Sequence, residues 1–429
     1  MAKALNQLGA LEAVQRLQRR ELSAEQMARA CLARIEQREP DVRAWAELVP
    51  DQVLAQARAL DAGSLRGILH GLPLGVKDML DTHDLPTRYG SSIYAQHQPA
   101  ADAAALALCR SAGALVMGKT VTTELASYQP GPTRNPHNLS CTPGGSSSGS
   151  AAAVADDMVP LALGSQTAGS IVRPAAYCGI VGFKPTFGRV PRAGSKLLCD
   201  SLDTLGGFAR NVDDAALLAS VLLGDARLLD LQDVPQPRVG MLRTFQWRHA
   251  LPETREAFEQ AASVLARAGA QVEEIELPAQ DCGLVQLHAD IMAFETARSL
   301  AFERAEYGGQ LSPRLMAIVE AGAAITAEEN QVHQARAQLT RQRSLQWFER
   351  YDVVLGPSTT GEAPFLDQGT GDPLFCRVWT LFGFPTVHLP FASGPQGLPV
   401  GLQAVGPPQA DHRLLGIARW MHRVLSQRD

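Results

Sequence analysis

Several things are missing from this sequence of 429 residues, and each gap closes a class of function. No stretch approaches the roughly 18 uncharged apolar residues of a membrane span, so none is expected. The segment MAKALNQLGALEAVQRLQRRELSAEQ carries charges throughout and holds no apolar core of a signal peptide. A basic excess is absent: 39 Lys and Arg stand against 44 Asp and Glu, a net charge of -5. That leaves no surplus to hold a polyanion, so no nucleic-acid partner is expected. Cys31, Cys109, Cys141, Cys178, Cys199, Cys282 and Cys376 form an odd set of 7 without a C-x-x-C pair. That argues against a disulfide scaffold, a zinc ribbon or a dithiol redox motif. The thiols read as small buried apolar groups, and a reduced cytoplasmic setting is the simplest fit. None of the 10 histidines stands in H-E-x-x-H or another paired metal spacing. His70, His83 and His137, near the motifs below, read as surface or packing residues. The Gly-rich loop over 143–150 holds no G-x-x-x-x-G-K-[ST] and no G-x-G-x-x-G, and the nearest approach to a nucleophile elbow is its serine cluster Gly144-Gly-Ser-Ser-Ser-Gly149. Neither a metal nor an organic cofactor is expected.

What is present is material for a core. Hydrophobic residues make up 45% and charged residues 19%, which excludes disorder. At roughly 150 residues per domain the length alone suggests two or three domains. Periodicity says otherwise, because helical and strand patterns alternate without a break in composition. Apolar spacing predicts helices from about residue 5 to 47, with Ser23 as an N-cap, and roughly over 51–63. A buried strand runs from Leu72 into Gly75-Val-Lys-Asp78, followed by a helix over 102–112 and a strand over 115–117. Further on come a helix over 213–223, a strand-helix-strand unit over 238–277, and mostly helical residues from 284 to 350. Strands over 352–355, 386–390 and 400–405 precede a last helix over 411–426. The pattern predicts an α/β fold, one large α/β/α domain over 1–429 around a mixed sheet covered by helices.

Three pieces stand out chemically. In Gly75-Val-Lys-Asp78, Lys77 ends an apolar run, where desolvation lowers a lysine pKa and makes it a base; a lysine snorkelling from a strand end is the bland alternative. Pro143-Gly-Gly-Ser-Ser-Ser-Gly-Ser150 runs into an Ala-rich helix and presents backbone N–H groups; a plain N-capping loop has the same look. Gly164-Ser-Gln-Thr-Ala-Gly-Ser170 is a second turn of small residues, and Ile171-Val-Arg-Pro174 follows it. Consecutive N–H groups aimed one way are what an oxyanion hole needs. Two such turns flanking one apolar element suggest backbone brought close to a ligand.

Together these residues resemble the amidase signature family over nearly the whole chain. The core match runs from Thr142-Pro-Gly-Gly-Ser-Ser-Ser-Gly-Ser-Ala-Ala-Ala-Val-Ala155 to Arg173-Pro-Ala-Ala-Tyr-Cys-Gly-Ile-Val-Gly-Phe-Lys-Pro-Thr186. Thr133-Arg-Asn-Pro136, Ser201-Leu-Asp-Thr-Leu-Gly206 and Gly397-Leu-Pro-Val-Gly-Leu-Gln403 extend it. On this resemblance the chain divides into an N-terminal helical part (1–64), a signature core (65–210) and the rest of the sheet with its helical cover (211–429). It implies a Ser–cis-Ser–Lys hydrolase with Lys77 as base, Ser146 as bridge and Ser170 as nucleophile. It also implies a cis bond between Gly145 and Ser146, and an oxyanion hole from the N–H groups of Thr167, Ala168, Gly169 and Ser170. The implied activity is hydrolysis of a small carboxamide through an acyl-enzyme, with Arg173, Gly145 and Gln166 as substrate-binding residues.

This sequence departs from the common family pattern around the nucleophile. Gln166 stands for Asp, Ala168 for Gly, and the arginine lies three residues after Ser170 instead of two. The shifted arginine resembles the malonamidase branch, where it binds a substrate carboxylate. Arg173 can equally brace the turn as a buried arginine, and the sequence leaves both roles open. The expected partner is a small amide, with no nucleic acid and no membrane; a homodimer stays open. The in-family alternative is the A subunit of a glutamyl-tRNA amidotransferase, and the alternative outside it is a non-catalytic binding protein on the same scaffold. The cleft wall is expected from residues 128–132 and 284–349, with Phe294, Tyr307, Phe375, Trp379 and Phe382 as apolar candidates, although such spacing is also that of core residues.

Overall fold

The computed structural model describes residues 3–427 of the chain; the outermost two residues at each end of the expected domain lie outside them. One sheet of 11 strands runs through the molecule. In chain order they are β1 (Trp45–Leu48), β2 (Pro73–Lys77), β3 (Leu115–Thr120), β4 (Leu161–Gln166), β5 (Val181–Lys184) and β6 (Thr204–Ala209). β7 (Arg238–Leu242), β8 (Gln271–Ile275), β9 (Val353–Pro357), β10 (Thr386–Ser393) and β11 (Pro399–Val405) complete it. The spatial order is β1-β3-β2-β4-β6-β5-β10-β11-β9-β7-β8. The sheet is mixed. β2 runs parallel to β3 and β4, and β7 runs parallel to β8 and β9, while the remaining pairs are antiparallel.

Burial follows from these positions. β2 and β3 are buried at every residue, as expected of parallel strands covered on both faces. β8 lies at an edge and exposes Gln271, Glu273 and Glu274, charges and polar groups that discourage pairing with another chain. The helix Ser148–Ala155, between β3 and β4, is buried over most of its length because Ser, Gly and Ala let it lie close to the sheet. Gly149 is required there: a Cβ on it would stand 2.1 Å from the Ala44 carbonyl oxygen.

Three local expectations are corrected. Residues 45–48 form β1, not helix. The helix Ala24–Val42 ends on Arg43 in the left-handed region, and the Glu39 carboxylate then accepts the amides of Ala44 and Trp45 at 2.9 and 3.0 Å. This turns the chain into a strand antiparallel to β3. β5 and β6 had no strand signal; in β6 the sequence Leu205-Gly-Gly-Phe208 replaces the usual β-branched residues. Gly206 has a packing reason, since a Cβ there would meet the Phe183 carbonyl oxygen at 2.2 Å. Phe375, Trp379 and Phe382 are buried core residues and do not form a cleft wall.

No helix among the described residues is long and apolar enough to cross a membrane.

Candidate active site

The parallel trio β3-β2-β4 puts the C-terminal ends of β2 and β4 side by side, the usual place for a site in an α/β sheet. Lys77 is the last residue of β2 and Ser165 the penultimate residue of β4. The turn before the helix Ser148–Ala155 brings Ser146 over the same ends. Lys77 Nζ lies 2.7 Å from Ser146 Oγ and 2.8 Å from Ser165 Oγ. The lysine is wholly buried, which rejects the snorkelling alternative. Burial pulls its pKa from 10.5 to about 7; Asp203 opposes that fall and Arg173 adds to it. A neutral amine can accept a proton, so this lysine is chemically fit to be a base near neutrality.

The peptide bond between Gly145 and Ser146 is cis. The other serines of that turn are spent on structure. Ser147 donates to the Ser165 carbonyl at 3.2 Å, Ser148 to the Gly144 carbonyl at 2.7 Å and Ser150 to the Leu163 carbonyl at 2.8 Å. Thus one serine of the cluster faces the lysine and its neighbours fix the turn.

The second turn, residues 167–170, leaves β4 and enters the helix Val172–Cys178. The amides of Ile171 and Val172 donate to Gln166 Oε1 at 2.9 and 3.0 Å, and the Arg173 amide donates to the Gly169 carbonyl at 2.8 Å. Among the described residues, the four preceding amides, Thr167 to Ser170, find no acceptor within the chain, and the Ser170 hydroxyl has no hydrogen-bond partner. A row of unused amides beside a free hydroxyl suits a nucleophile attacking a carbonyl whose oxygen becomes charged.

Two expected substrate-binding side chains are used inside the protein instead. Gln166 is buried, caps the helix with its oxygen and donates from Nε2 to Thr380 Oγ1 at 2.9 Å. Arg173 is 2% exposed. Its Nε and Nη2 donate to the Gly145 carbonyl at 3.1 and 2.6 Å, and its Nη1 donates to the Gly371 carbonyl. This is the bracing arrangement: a guanidinium tying the first serine turn to segment 370–373. The carboxylate-anchor role has no support from these contacts. Gly145, the third expected substrate-binding residue, lies against the same segment, since a Cβ on it would meet Thr370 Cγ2 at 2.9 Å.

Segment 370–373 also forms the wall of an open cleft of about 740 Å³, lined among others by Tyr128, Tyr177, Arg314, Thr370, Pro373 and Arg377. A Cβ on Gly169 would touch Pro373 Cβ at 2.8 Å, so cleft and second turn share a wall. Tyr128 and Arg314 come from the two stretches expected to supply it. Two groups at the site went unread in the sequence. Ser165 shares the lysine with Ser146. Asp203 accepts the Thr167 hydroxyl at 2.5 Å and the amides of Leu198 and Cys199 at 2.6 and 3.1 Å. Its place in Ser201-Leu-Asp-Thr-Leu-Gly206 was the available signal.

The Amidase family model matches residues 26–415. The chain is 35% identical to the A subunit of a glutamyl-tRNA(Gln) amidotransferase from Acidothermus cellulolyticus, over 98% of this chain and 94% of that protein. It is 34% identical to the corresponding protein of Roseiflexus castenholzii, over 98% and 96%. Among solved structures, an amidase superposes with a TM-score of 0.91 at 32% identity, covering 98% of this chain and 100% of the other. The peptide amidase of Stenotrophomonas maltophilia gives 0.85 at 29% identity, over 99% and 98%. The amidotransferase relatives correct one expectation, that the partner is a small molecule with no nucleic acid: proteins at this identity are named as parts of a tRNA amidotransferase. The net charge of -5 misled because it speaks only of a tRNA surface on this chain, and one component of a complex can leave that surface to its partners.

Proposed function

Since this chain belongs to the amidase signature family, we propose that it is the amide-cleaving A subunit of a tRNA-dependent amidotransferase, with Lys77, Ser146 and Ser170 as its catalytic residues. Neutral Lys77 takes a proton from Ser146, and Ser146 takes one from Ser170. Ser170 Oγ attacks the amide carbonyl, and the N–H groups of residues 167–170 receive the developing oxyanion. Ser146 returns its proton to the leaving nitrogen and ammonia departs; water then attacks the acyl-enzyme, releasing the carboxylic acid and restoring the Ser170 hydroxyl. The observation that carries the chemistry is the 2.7 Å contact between Lys77 and Ser146 in a site whose burial brings the lysine pKa down to about 7. The role within a complex is supported by the named relatives.

The test has two arms. Ammonia release from primary carboxamides is measured for the wild type and for Ser170→Ala; retained release in the variant refutes Ser170 as the nucleophile. The Acidothermus cellulolyticus amidotransferase, prepared without its own amide-cleaving component, is then supplied with this chain and glutamyl-tRNA(Gln). Formation of the amidated tRNA supports the role in the complex, and its absence beside robust ammonia release refutes it. A second reading, an amidase acting without that complex, draws on the likeness to the solved amidase and peptide amidase and corresponds to the latter result.

A further inference from the structure

The carbonyls of the second turn are as informative as its amides. In a trans peptide the C=O and the following N–H point in opposite directions, so fixing one aims the other. The bonds through residues 167–170 are trans. The Gly169 carbonyl accepts the Arg173 amide at 2.8 Å, and the Ala168 carbonyl accepts the Thr380 hydroxyl at 2.7 Å. The third carbonyl that shares a peptide with one of the amides of residues 168–170, that of Thr167, is held by a histidine 121 positions away: His288 Nε2 lies 2.9 Å from it.

We infer that His288 is a positioning residue of the oxyanion hole, aiming the Ala168 N–H by holding the Thr167 carbonyl, and that Arg377 clamps it in the required tautomer. The inference rests on the proposed Ser170 chemistry. A carbonyl only accepts, so Nε2 carries the proton. Arg377 only donates, and its Nη1 lies 3.2 Å from His288 Nδ1, so Nδ1 is the bare nitrogen. The two partners together require the neutral Nε2–H ring. Full burial favours the same state, pulling the pKa to about 3. The other arm of Arg377 donates to the Tyr128 hydroxyl at 2.8 Å. Arg377 and Tyr128 both line the cleft, so one chain of contacts runs from the cleft wall through His288 to the turn. His288 itself does not touch the reacting atoms on this geometry.

A fluorophosphonate tests this without knowledge of the natural substrate. Ser170 Oγ bonds to phosphorus, the P–F bond breaks and fluoride leaves, and the serine proton passes to Ser146 and Lys77. The phosphoryl oxygen takes the oxyanion position. Labelling is followed by mass spectrometry at several probe concentrations for the wild type, His288→Leu, His288→Gln and Arg377→Met. The glutamine amide reaches about as far as Nε2 and keeps an N–H for Thr167, whereas leucine keeps none. Expected is a loss of about tenfold or more in maximal labelling rate for His288→Leu, with the half-saturating concentration unchanged, and recovery to within about threefold in His288→Gln. Arg377→Met, at a half-buried position, is expected to fall about threefold while folding normally. Wild-type labelling rates in a folded His288→Leu overturn the inference. If that variant does not fold, wild-type rates in Arg377→Met overturn it. An unlabelled Ser170 in the wild type refutes the underlying chemistry instead, so the two failures are told apart.

Discussion

Replacing Lys77 by methionine should separate function from stability in opposite directions. Lys77 is wholly buried, and its pKa falls from 10.5 to about 7 because burial disfavours the charge. Between those values an unfolded chain binds a proton that the folded chain lacks. Unfolding free energy therefore rises with pH across that window, and below about pH 7 the full cost of the buried charge is present. The gap corresponds to about 5 kcal/mol at about 1.36 kcal/mol per pH unit. Methionine has similar length and no charge, so the variant loses this slope. It also leaves the Ser146 and Ser165 hydroxyls without their amine, at about 1–3 kcal/mol each. The two effects are of similar size, so the variant should stay within about 3 kcal/mol of the wild type near neutrality and fall relative to it as pH rises. Urea unfolding of both proteins at several pH values checks it. The stability difference should move by about 2.5 kcal/mol from about pH 7 to about pH 9. Lys119 and Lys184 are also buried, with pKa values lowered to about 8 and about 7, but they titrate in both proteins and cancel. Parallel stability curves would mean that Lys77 keeps its ordinary pKa, and the neutral-base argument would fall with them. Ammonia release should be lost in the same variant.

Amide hydrolysis by the wild type should rise with pH through about 7, as Lys77 sheds its proton, and a rate already at plateau well below that value contradicts the assignment. Arg173→Ala should depress hydrolysis of acidic and neutral amides alike, because the guanidinium holds the Gly145 and Gly371 carbonyls; a loss confined to acidic amides in parallel kinetic runs would make it a carboxylate anchor after all. Gly149→Ala should cost several kcal/mol or prevent folding, on the order of the larger overpacking effects, because its Cβ would stand 2.1 Å from Ala44 O and 2.4 Å from Val121 N. Wild-type thermal melting of that variant would show that the helix can move away from β1 and β3. Thr380→Val removes the donor to the Ala168 carbonyl and the acceptor of Gln166 Nε2, so it should slow Ser170 labelling by about tenfold and lower stability by about 1–3 kcal/mol for each group left unpaired.

The legible part of the site was the part written in consecutive residues. Two small-residue turns separated by one helix and one strand betray themselves by composition, and a lysine closing an apolar run betrays its own desolvation. The α/β alternation was legible for the same reason, since a helix or strand is a local pattern. What could not be read is what reaches the turns from afar. Asp203 meets Thr167 across 36 positions, and Thr380 meets Ala168 across 212. No periodicity encodes such distances; they follow from the sheet order, which places β4 beside β6 although β5 lies between them in sequence. β6 was missed for a related reason. Its glycines exist to let Phe183 and Leu218 approach, and a residue chosen for what must fit against it carries no strand propensity.

Gln166 and Arg173 have one thing in common. Both are polar residues beside the proposed nucleophile, which in a sequence invites a substrate role. In the folded chain each instead satisfies backbone groups that the tight turns would otherwise strand. Gln166 Oε1 takes two amides at the start of the helix Val172–Cys178, and Arg173 takes the carbonyls of Gly145 and Gly371. A turn that exposes four amides to a substrate cannot use them for its own hydrogen bonding, so its remaining backbone groups need donors and acceptors from side chains. On this argument a site built from backbone amides should be ringed by buried polar side chains that never touch the substrate. Asp203, Thr380, Arg173, Gln166 and His288 are that ring here, and all five are buried.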